Sequence, residues 1–419
     1  MKKLLFSFLM TTVLLSCNDN GREPDDSSIN ADSSLAQDAG AIEISPIVLP
    51  ENGTLIINGL NDFSFSLFEE IYATGSGENI VFSPYNMYVH LAMLANGNPE
   101  GVSAELFEAM GLRDYNLSID DINTLSWVLI PGLSTVDANA VLTTANSIWH
   151  SWELNPAMMR LLSYSYGIED FSLDTMEGAQ TAISAWVKEK TSGMIPEISF
   201  NPGSEECVFV NTSCFKGSWA PHCEFNPELT AKETFNNHDG SSSLADFMWC
   251  KGVSPYFSNE SFRGTMLEFG NGSFSLYLML PQEGKGLKES LQALQGHDFF
   301  KSLGEFDAVN LTLRLPKFEN YSSLSLTELL RNKGVRSMFE DGLDRVYFDG
   351  KTYKAGDHRQ QVYFSIDEKG AKGAAVDYND FGALIVERKE TLDFDSPFVY
   401  VLRENTSGAI IYIGTVTHF

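Results

Sequence analysis

A long segment between two plain β-strands constrains this chain more than any other feature. Before it, Val362, Phe364 and Ile366 alternate with Gln361, Tyr363 and Ser365, the period-2 pattern of a half-buried strand. After it, residues 398–402 and 409–416 are nearly continuous apolar runs, as in strands buried on both faces. The intervening residues 369–396 number nearly 30, and a loop of that length in a compact domain is either functional or disordered. Its first part, Gly370-Ala371-Lys372-Gly373-Ala374-Ala375-Val376, is built of small side chains that cost little to bury between neighbours. Its second part, 377–390, is mixed and exposed in character. It holds the apolar Ala383-Leu384-Ile385-Val386 followed by the basic Arg388-Lys389, a poor composition for a flexible linker.

Upstream, helices come first. Asn61 and Asp62 precede the stripe Phe63, Leu67, Phe68 and Ile71, which predicts a helix behind a cap residue. Ser83-Pro84 predicts a second start, with Ser as cap and Pro in the first turn, and Asn96-Gly97 predicts its end. Residues 180–191 predict a further helix stopping at Gly193. Strands then dominate: 208–215 is β-rich, and Val309, Leu311, Leu313 and Leu315 alternate with Asn310, Thr312 and Arg314. No internal repeat or mid-chain linker interrupts this order, so one α+β domain is expected.

The N-terminus reads as an export signal. Met1-Lys2-Lys3 precedes an apolar run over 4–15, too short to span a bilayer, which needs roughly 20 residues. Leu14-Leu15-Ser16-Cys17 resembles a bacterial lipobox, which implies a signal peptide of 1–16 and acylation at Cys17. Several acyl chains at one residue make a stable membrane anchor. Residues 18–57, rich in Asn, Asp, Ser, Gly and Pro, read as a tether; about 40 such residues reach roughly 35 Å root-mean-square. The polar, acidic start resembles surface-export signals of Bacteroides-group lipoproteins, so an outer-membrane or cell-surface location is expected. Residues 58–419 are then the folded domain.

The chain carries 28 Lys plus Arg against 56 Asp plus Glu, a net charge of -28 that argues against nucleic acid as a partner. Cys207, Cys214, Cys223 and Cys250 lack the CxxC spacing of zinc sites, and an export route permits disulfides without fixing their connectivity; free buried thiols are the equal alternative. No HExxH, GxSxG elbow or phosphate-binding Gly-rich loop is present, so neither an enzyme nor a metal or cofactor is expected. The seven His are scattered, and His90 falls in a predicted helix as a structural residue.

Together these pieces resemble the serpin family from about residue 58 to Phe419. Leu392-Asp393-Phe394-Asp395-Ser396-Pro397-Phe398-Val399-Tyr400-Val401-Leu402 is similar to the family signature. Asn79-Ile80-Val81-Phe82-Ser83-Pro84, Ala145-Asn146-Ser147-Ile148-Trp149, Val210-Asn211, Phe215-Lys216-Gly217-Ser218-Trp219 and Leu315-Pro316-Lys317-Phe318 occur in family order. The resemblance implies a large central sheet, two further sheets, about nine helices and an exposed reactive loop in a monomer. It implies suicide-substrate inhibition of serine, and also cysteine, endopeptidases. The protease forms an acyl-enzyme with the loop, and the cut loop inserts into the sheet and drags the protease along. About 15 residues at about 3.3 Å each carry it roughly 50 Å. Loop insertion in this family is itself a standard example of a strained switch released by cleavage.

The resemblance also assigns residues. Glu368, Gly370, Ala371, Gly373, Ala374 and Ala375 form the hinge, and strand alternation turns Ala371, Gly373 and Ala375 inward. The same alternation turns Asp377 and Asn379 inward, where the family usually has an uncharged residue at the first; an unpaired buried carboxylate is costly. Trp219, Lys317 and Glu368 match the region where insertion starts, with a Lys317–Glu368 salt bridge implied. Ser83, Asn86, Asn211 and Gln360 match the gate in mid-sheet, with Asn86 in place of the usual second Ser and Gln360 in place of the usual His; His358 is out of register. Family spacing puts the residue before the cut at Leu384 counting from Glu368, and at Val386 counting from Phe398. Ile385 lies between, and Arg388 or Lys389 are the basic alternatives. Apolar choices suit elastase-like, chymotrypsin-like or subtilisin-like targets, and basic ones trypsin-like targets. The competing reading is a non-inhibitory serpin, a surface binder or carrier with a cleavable loop.

Overall fold

The computed structural model describes residues 45–75, 77–198, 207–223, 225–292, 299–302, 306–356, 358–371 and 387–419. Cys17, the signal and most of the tether therefore lie outside the described residues, as do 372–386 of the long segment. The compact unit spans Ile44–Phe419.

Helices α1 (Gly53–Thr74), α2 (Pro84–Ala95), α3 (Ala104–Ala109), α4 (Ile119–Thr135), α5 (Pro156–Tyr166) and α6 (Ala179–Lys190) occupy the first half, and shorter ones follow later. The strands are β1 (Ile80–Phe82), β2 (Ala140–His150), β3 (Glu169–Ser172), β4 (Cys207–Ser218), β5 (Ala231–Asn236), β6 (Ser242–Ser258), β7 (Phe262–Phe269), β8 (Phe274–Pro281), β9 (Asp307–Pro316), β10 (Phe318–Ser325), β11 (Arg359–Ile366), β12 (Gly370–Ala371), β13 (Lys389–Asp393), β14 (Phe398–Glu404) and β15 (Ile410–Val416). Among the described residues they form three sheets. The largest runs β1-β15-β14-β8-β7-β6-β9-β13, with β5 on β6; the others run β12-β4-β2-β3 and β10-β11. The α+β architecture expected from the sequence is thus present.

Local chemistry explains the starts and stops. The Ser83 hydroxyl accepts the Asn86 N–H and caps α2, with Pro84 at its first turn. Asn155 and Pro156 open α5, and Gly167 closes it in the left-handed conformation that glycine adopts without strain. In β9 the apolar positions Val309, Leu311, Leu313 and Leu315 are fully buried, while the alternate ones stay partly open. Strands β8, β14 and β15 are buried almost throughout, as their unbroken apolar runs require.

Two expectations need correction. Helix α1 begins at Gly53, not behind Asn61. Asn61 is interior and buried, and its side-chain amide donates to Gly408 O at 2.9 Å. A tertiary hydrogen bond inside a helix thus mimics a cap in the sequence. The last part of the expected tether therefore belongs to the folded body: Ile56 and Ile57 are in the core, and Ile47 joins it. The second correction concerns the long segment, whose C-terminal part is the strand β13 and not a loop.

The four-stranded sheet has a core on each face. Phe209 and Phe215 of β4 point into the main core with α2, whereas Val208 packs on the other face with Trp149 of β2 and with Ile183, Trp186 and Val187 of α6. Truncating Ile183 to Ala leaves a hole in that second cluster. We expect a loss of about 2–5 kcal/mol in denaturant unfolding, with hydrogen exchange rising first in α6.

Candidate functional site

The site is a gap. Strand β4 pairs with β2 on one side, but on its other side, among the described residues, only Gly217 and Ser218 have a strand partner, the two residues of β12. Strand β11 pairs with β10 on one side. Neither β4 nor β11 is paired with the other. Both line one cavity of about 140 Å³, bounded by Val208 to Thr212 of β4, by His358, Arg359 and Gln361 at the start of β11, by His90 of α2, and by Val187, Ile195 and Ile198. Residues from both faces of the sheet line it, so the cavity passes through the plane where a strand would lie.

A latch holds the head of the gap. Trp219 is fully buried and stacked on Phe269 at 4.4 Å. Its indole N–H donates to Asp367 O (2.8 Å), and its backbone N–H donates to Lys369 O (3.2 Å). Lys317 Nζ meets Glu368 Oε1 at 2.6 Å, the pair the resemblance implied, and Thr230 Oγ1 donates to the same oxygen at 2.6 Å. Burial pushes the Glu368 carboxyl up, but the hydrogen bonds from Lys317 and Thr230 outweigh it and hold the group below its ordinary range. Asp367 and Gly370 exchange two backbone hydrogen bonds in a tight turn. Gly370 has φ of 122°, and a Cβ there would stand 2.1 Å from Gly217 O, so no other residue fits. Ala371 follows, 2 % exposed and opposite Gly217.

The expected gate is assembled only in part. Gln360 is bound to Ser83 twice: its Oε1 accepts the Ser83 N–H and its Nε2 donates to Ser83 O, both at 2.8 Å. The Ser83 hydroxyl donates to Ile411 O at 2.8 Å. Asn86 sits beside Ser83 with its buried side-chain oxygen unpaired. Asn211 does not join them; its amide donates to Asn146 Oδ1 (2.7 Å), and Asn146 in turn donates to Tyr166 O (2.8 Å).

At the other end, β13 lies parallel to β9 in the largest sheet. Arg314 clamps it: the guanidinium binds both Asp393 oxygens and Glu233, approaches Asp395 at 3.5 Å, and lies over the Phe247 and Trp249 rings. Arg388 O accepts the Asn310 N–H at 2.8 Å, and its side chain pairs with Asp307 and Glu390. Arg388 and Lys389 thus belong to the anchored end of the segment. Sixteen residues, 372–387, separate Ala371 in one sheet from Arg388 at the edge of another. Gly373, Ala374, Ala375, Leu384, Ile385 and Val386 lie outside the described residues.

Two further outcomes concern single residues. Cys207, Cys214 and Cys223 are buried, and burial pushes the partly buried Cys250 thiol up to about 12. Sequence reasoning missed Thr230, Arg314 and Asn146, none of which carries a local signal; each acts through a partner distant in the chain.

Comparison with known proteins decides the family. Residues 58–419 match the family described as serpin (serine protease inhibitor). The chain belongs to the serpin family. It is 28 % identical over 358 residues to Iripin-3 of Ixodes ricinus, covering 82 % of this chain and 89 % of that protein. It is 24 % identical over 378 residues to the leukocyte elastase inhibitor of Sus scrofa, covering 85 % and 97 %. Among solved structures it superposes on the native state of tengpin, a thermophilic serpin, with a TM-score of 0.76 at 24 % identity, covering 90 % of this chain and 98 % of that one.

In this serpin the latch stability linked to Glu368 is full above the ordinary carboxyl value of 4.5 and is lost as pH falls through the lowered value. Lys317→Met removes one of its hydrogen bonds. The pair is partly open to solvent, so we expect a loss of only about 1 kcal/mol. At pH 7 this reads as roughly fivefold faster hydrogen exchange at Gly370 and Ala371, with the difference shrinking as pH falls through the lowered Glu368 value.

Proposed function

We propose that this serpin inhibits endopeptidases as a suicide substrate, with residues 372–387 as the bait. The carrying observation is that Gly370 and Ala371 already pair with β4 at the head of a gap in which no strand lies among the described residues. A cut within 372–387 frees the chain to continue along β4, forming hydrogen bonds that the edge of β4 lacks. The uncut loop cannot do so while Arg314 and Arg388 hold its far end in the other sheet. That opposition between two anchored ends supports a strained, cleavage-released inhibitor over a passive carrier.

The cut falls, in this reading, in the apolar Leu384-Ile385-Val386 stretch, which suits elastase-like, chymotrypsin-like or subtilisin-like pockets. Cleavage at Arg388 or Lys389 by a trypsin-like enzyme is disfavoured. Arg388 O is bonded to Asn310, and Lys389 lies within β13, so a protease would first have to peel that strand away. We also propose that the serpin acts at a bacterial surface through acylated Cys17. Metabolic labelling with palmitate should mark the full chain and spare Cys17→Ser.

Denaturing gels test the central reading. Incubated with a panel of elastase, chymotrypsin, subtilisin, trypsin and papain, the domain should give a stable band at the summed mass with at least one enzyme. Ala371→Arg places a charge where the structure leaves 2 % exposure, so the same enzyme should then cleave the loop without being trapped. Clean cleavage of the unsubstituted domain by every enzyme that cuts within 372–387 would favour the carrier reading.

A further inference from the structure

The cavity between β4 and β11 has a chemical character that the gate hydrogen bonds do not account for. Leu94 of α2, Val187 of α6, Ile195, Ile198 and Val208 make much of its wall apolar. His358 and the partly buried His90 border the same space, edge to face with ring centroids 4.7 Å apart. The exposed Arg359 also lines it, so the space reaches the surface. Its volume of about 140 Å³ is close to the roughly 150 Å³ of an engineered apolar cavity that takes one benzene.

His358 is the group that needs a partner. It is 7 % exposed. Its main chain is fully committed, the N–H donating to Thr327 Oγ1 at 2.7 Å and the carbonyl accepting the Leu326 N–H at 2.8 Å. Its ring makes no hydrogen bond among the described residues. A buried polar group without a partner costs free energy, and this one borders a space large enough to hold a partner. Burial holds the imidazole down at about 4, so at pH 7 it is neutral, with one N–H and one nitrogen lone pair.

The other polar groups of the wall are engaged. The Asn211 amide donates to Asn146, and Gln361 Nε2 donates to the Tyr321 hydroxyl. Arg359 and Tyr353 have interactions of their own. No carboxylate lines the cavity among the described residues, so a cation would meet no opposite charge there. An anion would be stripped of water beside imidazoles that burial keeps neutral. An uncharged six-membered ring with one hydroxyl meets each requirement. The ring covers the apolar wall, and the hydroxyl donates to the His358 lone pair.

We propose that this cavity is a binding site for a small uncharged phenol, whose ring packs on the apolar wall and whose hydroxyl donates to His358. The cavity is bounded by Val208 to Thr212 of β4 and by Arg359 and Gln361 of β11, so a bound ring fills space between the two strands. Under the suicide-substrate reading above, the phenol and an entering strand compete for that space, and the phenol acts as a brake on trapping. Binding itself does not depend on that reading.

Ligand-detected NMR titration of the full chain at pH 7 with phenol, anisole and benzoate tests the site. Phenol should bind saturably. Anisole keeps the ring but has no O–H to donate, and should bind roughly tenfold more weakly. His358→Phe should lower phenol to the affinity of anisole and change anisole little; the ligand series in the unsubstituted protein decides the matter if that variant does not fold. No saturable binding, equal affinities for phenol and anisole, or tighter binding of benzoate overturns the site. Competition is read separately. After cleavage within 372–387 by an endoprotease, since removed, the rise in Tm that reports insertion should develop several-fold more slowly in saturating phenol than in buffer. An unchanged rate with phenol bound overturns the competition. No rise in Tm at all overturns the insertion reading and leaves the phenol site to be judged by the titration.

Discussion

A β-strand edge without a partner is a standing demand for hydrogen bonds, and here two such edges border one cavity. Among the described residues β12 covers only the Gly217–Ser218 end of β4, and β11 turns its second side to the same space. Most proteins blunt or cover such edges. Here the segment that leaves the head of the gap at Ala371 is fastened at its other end, through β13, in a different sheet. Each part of the site can be understood as holding that arrangement in place. Trp219, Lys317 and Glu368 seat the first residues, Arg314 restrains the last, and Gln360 and Ser83 tie β11 to α2.

The two anchors differ in chemistry. The head is held by one partly open ion pair, a hydroxyl, a buried indole and a turn that only glycine can make. The tail is held by a guanidinium shared among three carboxylates and two aromatic rings, with parallel strand pairing beneath it. Burial and the neighbouring Asp393 push the Asp395 carboxyl up, with Arg314 opposing. This crowding of acids makes Arg314 costly to lose.

How much of this was legible depended on whether the cause was local. The alternation in 309–315 and 361–366 and the Ser83-Pro84 start are dictated by neighbours in the chain, and the structure follows them. The helix start at Gly53 was missed because Asn61 is spent on Gly408, a contact no local rule reveals. The Lys317–Glu368 pair was accessible only through family likeness. Asn211 was assigned to the gate by the same route, yet it bonds Asn146. A shared position fixes where a side chain starts, while its partner depends on which neighbours this chain supplies. His90 looked like an ordinary helix residue, because its edge-to-face contact with His358 joins residues far apart in the chain.

The turn at Gly370 has a consequence for how this loop can vary. A Cβ at that residue would meet the carbonyl of Gly217, so the chain cannot slide along β4 without breaking the turn. In a strand, a shift by one residue exchanges the two faces. With the starting point pinned, the loop is free in composition along its outward positions but not in length before its midpoint. If the loop inserts as proposed, one residue added or lost soon after Ala371 would exchange the faces of all that follow. Evolution of specificity in such a molecule is therefore confined to substitution near the hinge, and changes of length have room only toward the far end.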